Sequence, residues 1–368
     1  MDIKESVKDY YGKRLKGSDD LQTDVCKTQS CNMVKTSPST REALELCNEE
    51  VVKRYFGCGL VFPECLDGCR ILDLGSGSGR DCYVLSKLVG EEGFITGVDM
   101  TPEQLDIANK YKDYHAKKFG YSKSNTEFLM GDIENLQKAG VKDDSYDIVV
   151  SNCVVNLTTD KRAVLQETWR VLKDGGEVYF SDIYADRVLS EELRQHQALW
   201  GECIAGALWW RELVDLCKDI GFSGPYLVVS NKTTVESEEL RKVLGDGPQF
   251  VSATYRLIKS PRHDDSDQIF EATYKGTLPD HEKEFVFDVY TTFKTGQQQS
   301  VDAAVANILR ISRYSKHFDL SNESTKRSEP GRDAYQTADP FIWLKTDGGT
   351  ETSCCPSSKK ASSEKPCC

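Results

Sequence analysis

The 368-residue chain has little histidine: five residues, His115, His196, His263, His281 and His317. Methyl, acyl or phosphoryl transfer to an ordinary hydroxyl or amine needs a base beside the acceptor, most often histidine. None of the five follows a stretch that reads as the end of a strand. His115 falls on a helix face and His263 and His281 fall late in the chain, where solvated surface is expected. No two cysteines stand in a Cys-x-x-Cys pair, which argues against a structural zinc site. No run of eighteen apolar residues occurs, so no membrane-spanning helix is expected. Met1 to Tyr11 lacks the apolar core of a signal peptide, which points to the cytoplasm. With Lys+Arg 47 against Asp+Glu 59, the net charge is −12. That disfavours nucleic acid or an anionic membrane as the main partner. No heptad stripe stands out, and a monomer is expected.

What the chain does have is a sharp local pattern at Cys69–Asp81. The apolar run Ile71, Leu72, Leu74 breaks into Gly75, Gly77 and Gly79, and an amphipathic stretch follows. This reads as a strand entering a glycine turn that opens a helix, whose first N–H groups are left for a ligand. A dinucleotide fingerprint needs Gly-x-Gly-x-x-Gly, but the third position falls on Arg80. The pattern is instead Asp-x-Gly-x-Gly-x-Gly, with Asp73 on the strand. An acid there suits a cofactor with a cationic portion better than a pyrophosphate. The stretch resembles motif I of the S-adenosylmethionine (SAM) methyltransferases.

Around it, strand candidates (70–74, 94–99, 126–130, 146–152, 177–182) alternate with helical stretches (81–88, 102–119, 133–139, 161–172). Thr101 is the expected N-cap of the second, with Pro102 at its first position. Lys173-Asp174-Gly175-Gly176 should stop the last helix. Alternation of this kind predicts an α/β fold, a doubly wound and mostly parallel sheet of the class I, Rossmann-like type, with its ligand beyond the carboxyl ends of the strands. Before it, residues 40–56 read as one helix capped by Thr40, followed by Gly57-Cys58-Gly59 with the thiol exposed on a flexible turn. After it, 189–220 reads as mainly helical, 225–229 as a strand and 250–258 as a strand closing the sheet. The expected divisions are 1–69, an N-terminal segment with Cys26 and Cys58; 70–260, the SAM-binding domain; 261–345, a small α+β appendage; and 346–368, a disordered tail.

The strand ends carry the polar types a SAM site requires. Asp73 faces the cationic portion, with Gly75, Ser76, Gly77 and Gly79 forming the turn. Asp99, with Met100 beside it, ends the second strand twenty residues past Gly79 and suits a ribose diol. Gly131, Asp132 and Ile133 follow the third strand; Asp132 suits the adenine amino group and Ile133 the ring face, although Asp132 as a simple cap fits equally well. Asn152 ends the fourth strand and faces the same crevice.

Cys153 comes directly after Asn152, Cys58 is bracketed by glycines, and Cys203 lies in Gly201-Glu202-Cys203-Ile204-Ala205-Gly206. Tyr55–Gly59, 73–81, Val149–Val154 and Leu199–Cys203 together resemble arsenite methyltransferases of the animal type, over roughly residues 5–260. The resemblance implies that Cys58, Cys153 and Cys203 bind trivalent arsenic as thiolates, and that Cys26 forms a disulfide during turnover. It implies arsenite or its glutathione conjugates as substrate, and thioredoxin or glutathione as reductant. It also implies that Tyr11, in Tyr10-Tyr11-Gly12, helps cover SAM. Where the family often has a second tyrosine before Gly-Cys-Gly, this chain has Phe56. Arsenic(III) is soft and prefers thiolate, and its lone pair is the nucleophile, so no base is needed. Cys82 and Cys217 are expected to pack in the core, and Cys47, Cys65 and Cys69 to be idle thiols. The tail pairs Cys354-Cys355 and Cys367-Cys368 are candidates for arsenite capture. A methyltransferase for a small carbon or oxygen acceptor is the competing enzyme reading. A metalloid-sequestering protein would leave the SAM motifs without purpose.

Overall fold

The computed structural model describes residues 3–15, 20, 36–235, 237–245, 247–260, 267–326 and 333–342. Cys26, Cys31 and the tail cysteines lie outside the described residues. The five expected strands form, as β1 (Arg70–Leu74), β2 (Phe94–Asp99), β3 (Thr126–Met130), β4 (Tyr146–Asn152) and β5 (Leu172–Ala185). With β6 (Leu208–Trp209), β7 (Phe222–Thr233) and β8 (Phe250–Lys259) they make one sheet, ordered β3-β2-β1-β4-β5-β8-β7, in which β6 pairs with β5. Strands β1 to β5 run parallel. Ile71, Leu72 and Leu74 of the central β1 are all buried, as a parallel strand covered on both faces requires.

Several boundaries differ from the sequence reading, each for a local reason. Strand β8 does not close the sheet; it runs antiparallel between β5 and β7, leaving β7 at the edge. Strand β5 begins five residues early, because Leu172 already pairs with Tyr146 before the ladder shifts and resumes at Glu177. The ladder is irregular across the intervening residues, which include Gly175 and Gly176. The stretch 189–220 yields two short helices, β6 and one longer helix, Trp210–Ile220. The expected helix 40–56 is two, Pro38–Glu45 and Glu49–Lys53, since Ser37 and Asn48 each cap a start by accepting from a main-chain N–H. Thr40 is therefore inside the first helix. Only Leu136–Ala139 of the stretch 133–139 is helical, as a 3-10 turn. The stretch 102–119 is also two helices, broken at Tyr111. His115, expected at the surface, is buried with its ring stacked on Tyr83 at 3.6 Å.

Beyond β8, β9 (Gln268–Tyr274) lies between β12 (Gln298–Asp302) and β13 (Phe318–Lys326), and β10 (Glu284–Asp288) pairs with β11 (Thr291–Lys294). The sequence predicts two strand-like runs here, Gln268–Tyr274 and Glu284–Tyr290, and one helix, Val301–Ile311; the first run is β9, the second holds β10 and the turn after it, and the helix starts two residues later, at Ala303. Tyr274, Phe285, Phe287, Phe293 and Tyr314 form an aromatic core here, and Ile258 of β8 packs into it. The C-terminal module thus shares its core with the main sheet. Gly175 marks one seam: its φ is +77°, and a Cβ there would sit 2.4 Å from the Ile311 carbonyl oxygen. Gly175→Ala is expected to destabilise the fold by about 2–4 kcal/mol, from left-handed strain plus the displaced helix end. Denaturant melts check this; an unchanged midpoint would show that the seam is loose.

Candidate active site

The carboxyl ends of β1, β2, β3 and β4 open into one cleft. Tyr11, Asp73, Gly75, Ser76, Gly77, Asp99, Met100, Gly131, Asp132, Ile133, Asn152 and Cys153 all line it. Of the expected cofactor residues only Gly79 does not. It opens the helix Arg80–Val89 with φ +85°, against the Phe128 ring, so it shapes the turn from behind.

The turn is held by Asp99, whose Oδ2 accepts from Gly77 N at 2.9 Å and whose Oδ1 accepts from Thr101 N at 2.8 Å. Thr101 is the N-cap residue as expected, yet its own side chain makes no capping bond. Each Asp99 oxygen keeps a lone pair for a ligand hydroxyl. At Gly77 an added Cβ would meet no atom within 4 Å, so the backbone there borders open space. Two buried polar atoms on the same wall, Ser76 Oγ and Gln104 Oε1, have no hydrogen-bond partner. Both atoms are closed off from solvent, and the Ser76 hydroxyl lies against Gly97 on β2.

Its charge is also unbalanced. Asp73, Asp81, Asp99, Asp132 and Glu134 line it against Lys4 and Arg54, and behind the wall Arg80 is bonded to Asp81 and stacked over Tyr55. Burial, reinforced by Asp81, pushes the Asp73 carboxyl up to about 8. Cys82, expected only to pack, donates its thiol to Asp73 Oδ2 at 3.1 Å. A cationic ligand beside Asp73 reverses this penalty by favouring the carboxylate. The donors, the open turn and the acidic wall all fit SAM. The sign follows from the raised value. At pH 7 the free carboxyl is mostly protonated, so a cation that binds the carboxylate expels a proton, and affinity rises with pH up to about 8. SAM binding is expected to release a proton at pH 7, measured by calorimetry in buffers of different ionisation enthalpy. Asp73→Asn should lose that release, and equal release from wild type and variant would contradict the assignment.

Asp132 is committed elsewhere: Oδ1 accepts from Glu134 N at 2.9 Å and Oδ2 pairs with Lys4 at 2.6 Å. Lys4 belongs to the N-terminal helix Ile3–Asp9, which continues into the π-helical turn Tyr10–Arg14 over the cleft. Gln104 Nε2 donates to the Tyr11 carbonyl, and Tyr11 OH donates to the Gly201 carbonyl at 2.8 Å. The Phe56 ring packs edge-on against Tyr11 at 5.6 Å, so this position is used for packing.

The three cysteines converge at the β4 end of the cleft. Cys58 and Cys153 are joined as a disulfide with Cα atoms 5.8 Å apart, and Cys203 Sγ donates to the Cys153 carbonyl at 3.2 Å. All three are buried in one apolar cluster. This differs from the sequence reading twice: Cys58 is not exposed on a flexible turn, and two of the three sulfurs are bonded to each other. Asn152 explains the first difference. Its Oδ1 accepts from Cys58 N at 2.9 Å and Gly59 N at 3.2 Å, and its Nδ2 donates to Gly59 O and Asp81 Oδ2. The side chain therefore pins the thiol turn and also borders the cofactor cleft. Cys153 and Cys203 have φ of +55° and +59°, left-handed values that a residue with a Cβ holds only under constraint.

Sequence reasoning missed Gln104, Lys4 and Asp81. Asp81 was visible as an acid just past the turn, but Gln104 and Lys4 reach the site only through packing of distant segments. The residues lining the cleft, Cys153 among them, include no histidine. Asp182, linked to the Cys203 carbonyl through Asn156, is buried, and its carboxyl is pushed up to about 7 by that burial. It accepts from Asn156 N and Ile183 N, so its role is to hold backbone.

Residues 66–221 match the methyltransferase domain family, and residues 267–368 match the arsenite methyltransferase C-terminal domain. The chain is 52% identical over 317 residues to the arsenite methyltransferase of Homo sapiens, covering 86% of this chain and 83% of that one. It is 44% identical over 326 residues to the arsenite methyltransferase of Aquipseudomonas alcaligenes, covering 88% and 92%. The crystal structure of an arsenic(III) S-adenosylmethionine methyltransferase from Chlamydomonas reinhardtii superposes with a TM-score of 0.76 at 41% identity, covering 80% of this chain and all of that one. With identities of 52% and 44% over most of both chains and the matching C-terminal domain, the chain belongs to the arsenite methyltransferase family.

Proposed function

We propose that Cys58, Cys153 and Cys203 hold trivalent arsenic as thiolates at the edge of the cleft, where its lone pair accepts a methyl group. The observation that supports this reading best is the convergence of three buried cysteines at one end of the cleft. SAM supplies the methyl group as an electrophile. The chain's own residues then have separable tasks. Asp99, Ser76 and the Gly77 backbone bind; Asp73 balances positive charge; Ile133 and Met100 give apolar walls; Tyr11 covers the cleft and excludes water. Asn152 orients the Cys58 turn. Holding arsenic beside the methyl donor replaces base catalysis by positioning.

The disulfide fits the same reading as the oxidised state of the ligand pair. Two thiols, from thioredoxin or glutathione, reduce it with two electrons, giving free Cys58 and Cys153 and one disulfide of the reductant. Cys26 would take part in that exchange. In this reading residues 1–69 supply the cover and a thiol, 70–260 the cleft, and 261–345 a supporting module. The enzyme acts as a cytoplasmic monomer on arsenite or its glutathione conjugates, with neither nucleic acid nor membrane as partner. Among the described residues no helix is long and apolar enough to cross a membrane. Transfer of labelled methyl from SAM to arsenite, with a thiol reductant present, is expected to give methylarsenicals. Their absence, with methylation of a carbon or oxygen acceptor instead, would overturn the proposal.

A further inference from the structure

One buried ionic cluster has no part in the chemistry above. Glu64, Glu177, Arg256 and Arg313 meet around the Tyr314 hydroxyl. Arg256 Nη2 donates to Glu64 Oε2 at 3.1 Å, and its Nε lies 3.4 Å from Glu177 Oε1. Arg313 Nη2 lies 2.5 Å from Glu177 Oε2 and donates to Tyr314 OH at 2.6 Å. The Arg256 and Glu177 side chains are wholly buried. Two carboxylates balance two guanidiniums, so the cluster is neutral. Buried ion pairs are weak evidence for stability, because desolvation offsets most of their attraction. What such a directional cluster does well is fix register.

The register in question is that of the segment carrying Cys58. Cys58 Sγ lies 3.6 Å from Ser181 Oγ on β5, while Glu64, six residues on, shares Arg256 and the Tyr314 hydroxyl with Glu177 of the same strand. Side chains alternate along a strand, so Glu177, Tyr179 and Ser181 share one face of β5. Val61, midway along the segment, is buried in the same apolar cluster as Tyr179. Residues 58–64 are therefore a strap laid along β5, with the thiol at one end and the ionic cluster at the other. The far end is held by the C-terminal module. Arg313 Nε donates to the Glu64 carbonyl at 3.0 Å, Tyr314 OH lies 3.4 Å from Glu64 Oε2, and Cys65 Sγ donates to the Arg313 carbonyl at 3.5 Å. Cys65 also lies 3.3 Å from His317 Nε2, whose other ring nitrogen meets Thr277 Oγ1 at 2.7 Å.

We propose that Glu64 and Arg313 are positioning residues for Cys58: the C-terminal module anchors the strap, and the anchor sets where along β5 the Cys58 sulfur sits relative to Cys153 and Cys203. This rests on Cys58 being an arsenic ligand. Two variants of the full chain test it. Arg313→Met removes the anchor, and Glu177→Gln with Arg313→Met removes it while keeping the cluster neutral. Each is expected to raise the KM for arsenite about tenfold, with the KM for SAM and kcat within about twofold. Each should also lower the yield of Cys58–Cys153 disulfide on controlled oxidation, read by non-reducing peptide mass mapping. An unchanged arsenite KM and disulfide yield in a folded variant would overturn the proposal. So would equal rises in both KM values, or loss of cooperative melting by both variants, since these mark a purely structural cluster. Cys58→Ser in the same assay isolates the underlying premise: if it leaves the arsenite KM unchanged, the ligand assignment fails whatever the strap does.

Discussion

Cys58→Ser is expected to lower methylarsenical formation by at least about a thousandfold while leaving SAM affinity within about twofold, an asymmetry of about 4 kcal/mol confined to the acceptor. Serine is nearly isosteric, and the turn it occupies is held through backbone atoms, by Asn152 Oδ1 to the N–H groups of residues 58 and 59. The local shape therefore persists. What changes is the donor: a hydroxyl is a hard ligand and stays protonated at neutral pH, whereas arsenic(III) is soft and takes thiolate. The variant also loses the disulfide to Cys153. The comparison is therefore made under reducing conditions, where neither protein has it. Retained turnover would favour a carbon or oxygen acceptor instead.

Asn152→Ala is expected to reduce kcat/KM for arsenite about a hundredfold, roughly 2.7 kcal/mol, with a smaller effect on SAM. Removing this amide leaves Cys58 N and Gly59 N without the partner each now has, and takes one donor from Gly59 O, which keeps the Tyr55 hydroxyl, and one from Asp81. A buried group stripped of its partner costs about 1–3 kcal/mol, and the turn relaxes to recover part of it by moving the thiol. Steady-state kinetics with each substrate varied in turn checks this. A loss equal for both substrates would mean that Asn152 serves the cleft rather than the turn.

That result bears on how the site could be read in advance. The parallel strands were legible because each is a short apolar run closed by glycine, an acid or an amide, so the strand-end residues Asp73, Asp99 and Asn152 fell into one crevice by topology alone. The glycine turn was legible because its spacing has few other uses. The burial of Cys58 was not. Flanking glycines suggest exposure, and only the Asn152 side chain, reaching across 94 positions of sequence, makes the turn an interior one. The caps Ser37 and Asn48 were hidden by a helical periodicity that continues across the break. The placement of β8 between β5 and β7 was hidden because an antiparallel insertion reads locally like a terminal strand. In the C-terminal module, Thr291–Lys294 and Gln298–Asp302 are mostly polar, so they lack the pattern that marks a strand, and pairing with β9 and β10 decides them.

The account's central claim is that three thiolates share one arsenic. X-ray absorption at the arsenic edge, on reduced protein loaded with one equivalent of arsenite, counts the sulfurs directly. Three sulfur neighbours are predicted for the wild type, and two, with an oxygen completing the shell, for each of Cys58→Ser, Cys153→Ser and Cys203→Ser. A sulfur count that stays the same in any one of the three variants would contradict the assignment of that cysteine, and an unchanged count in all three would contradict the claim itself.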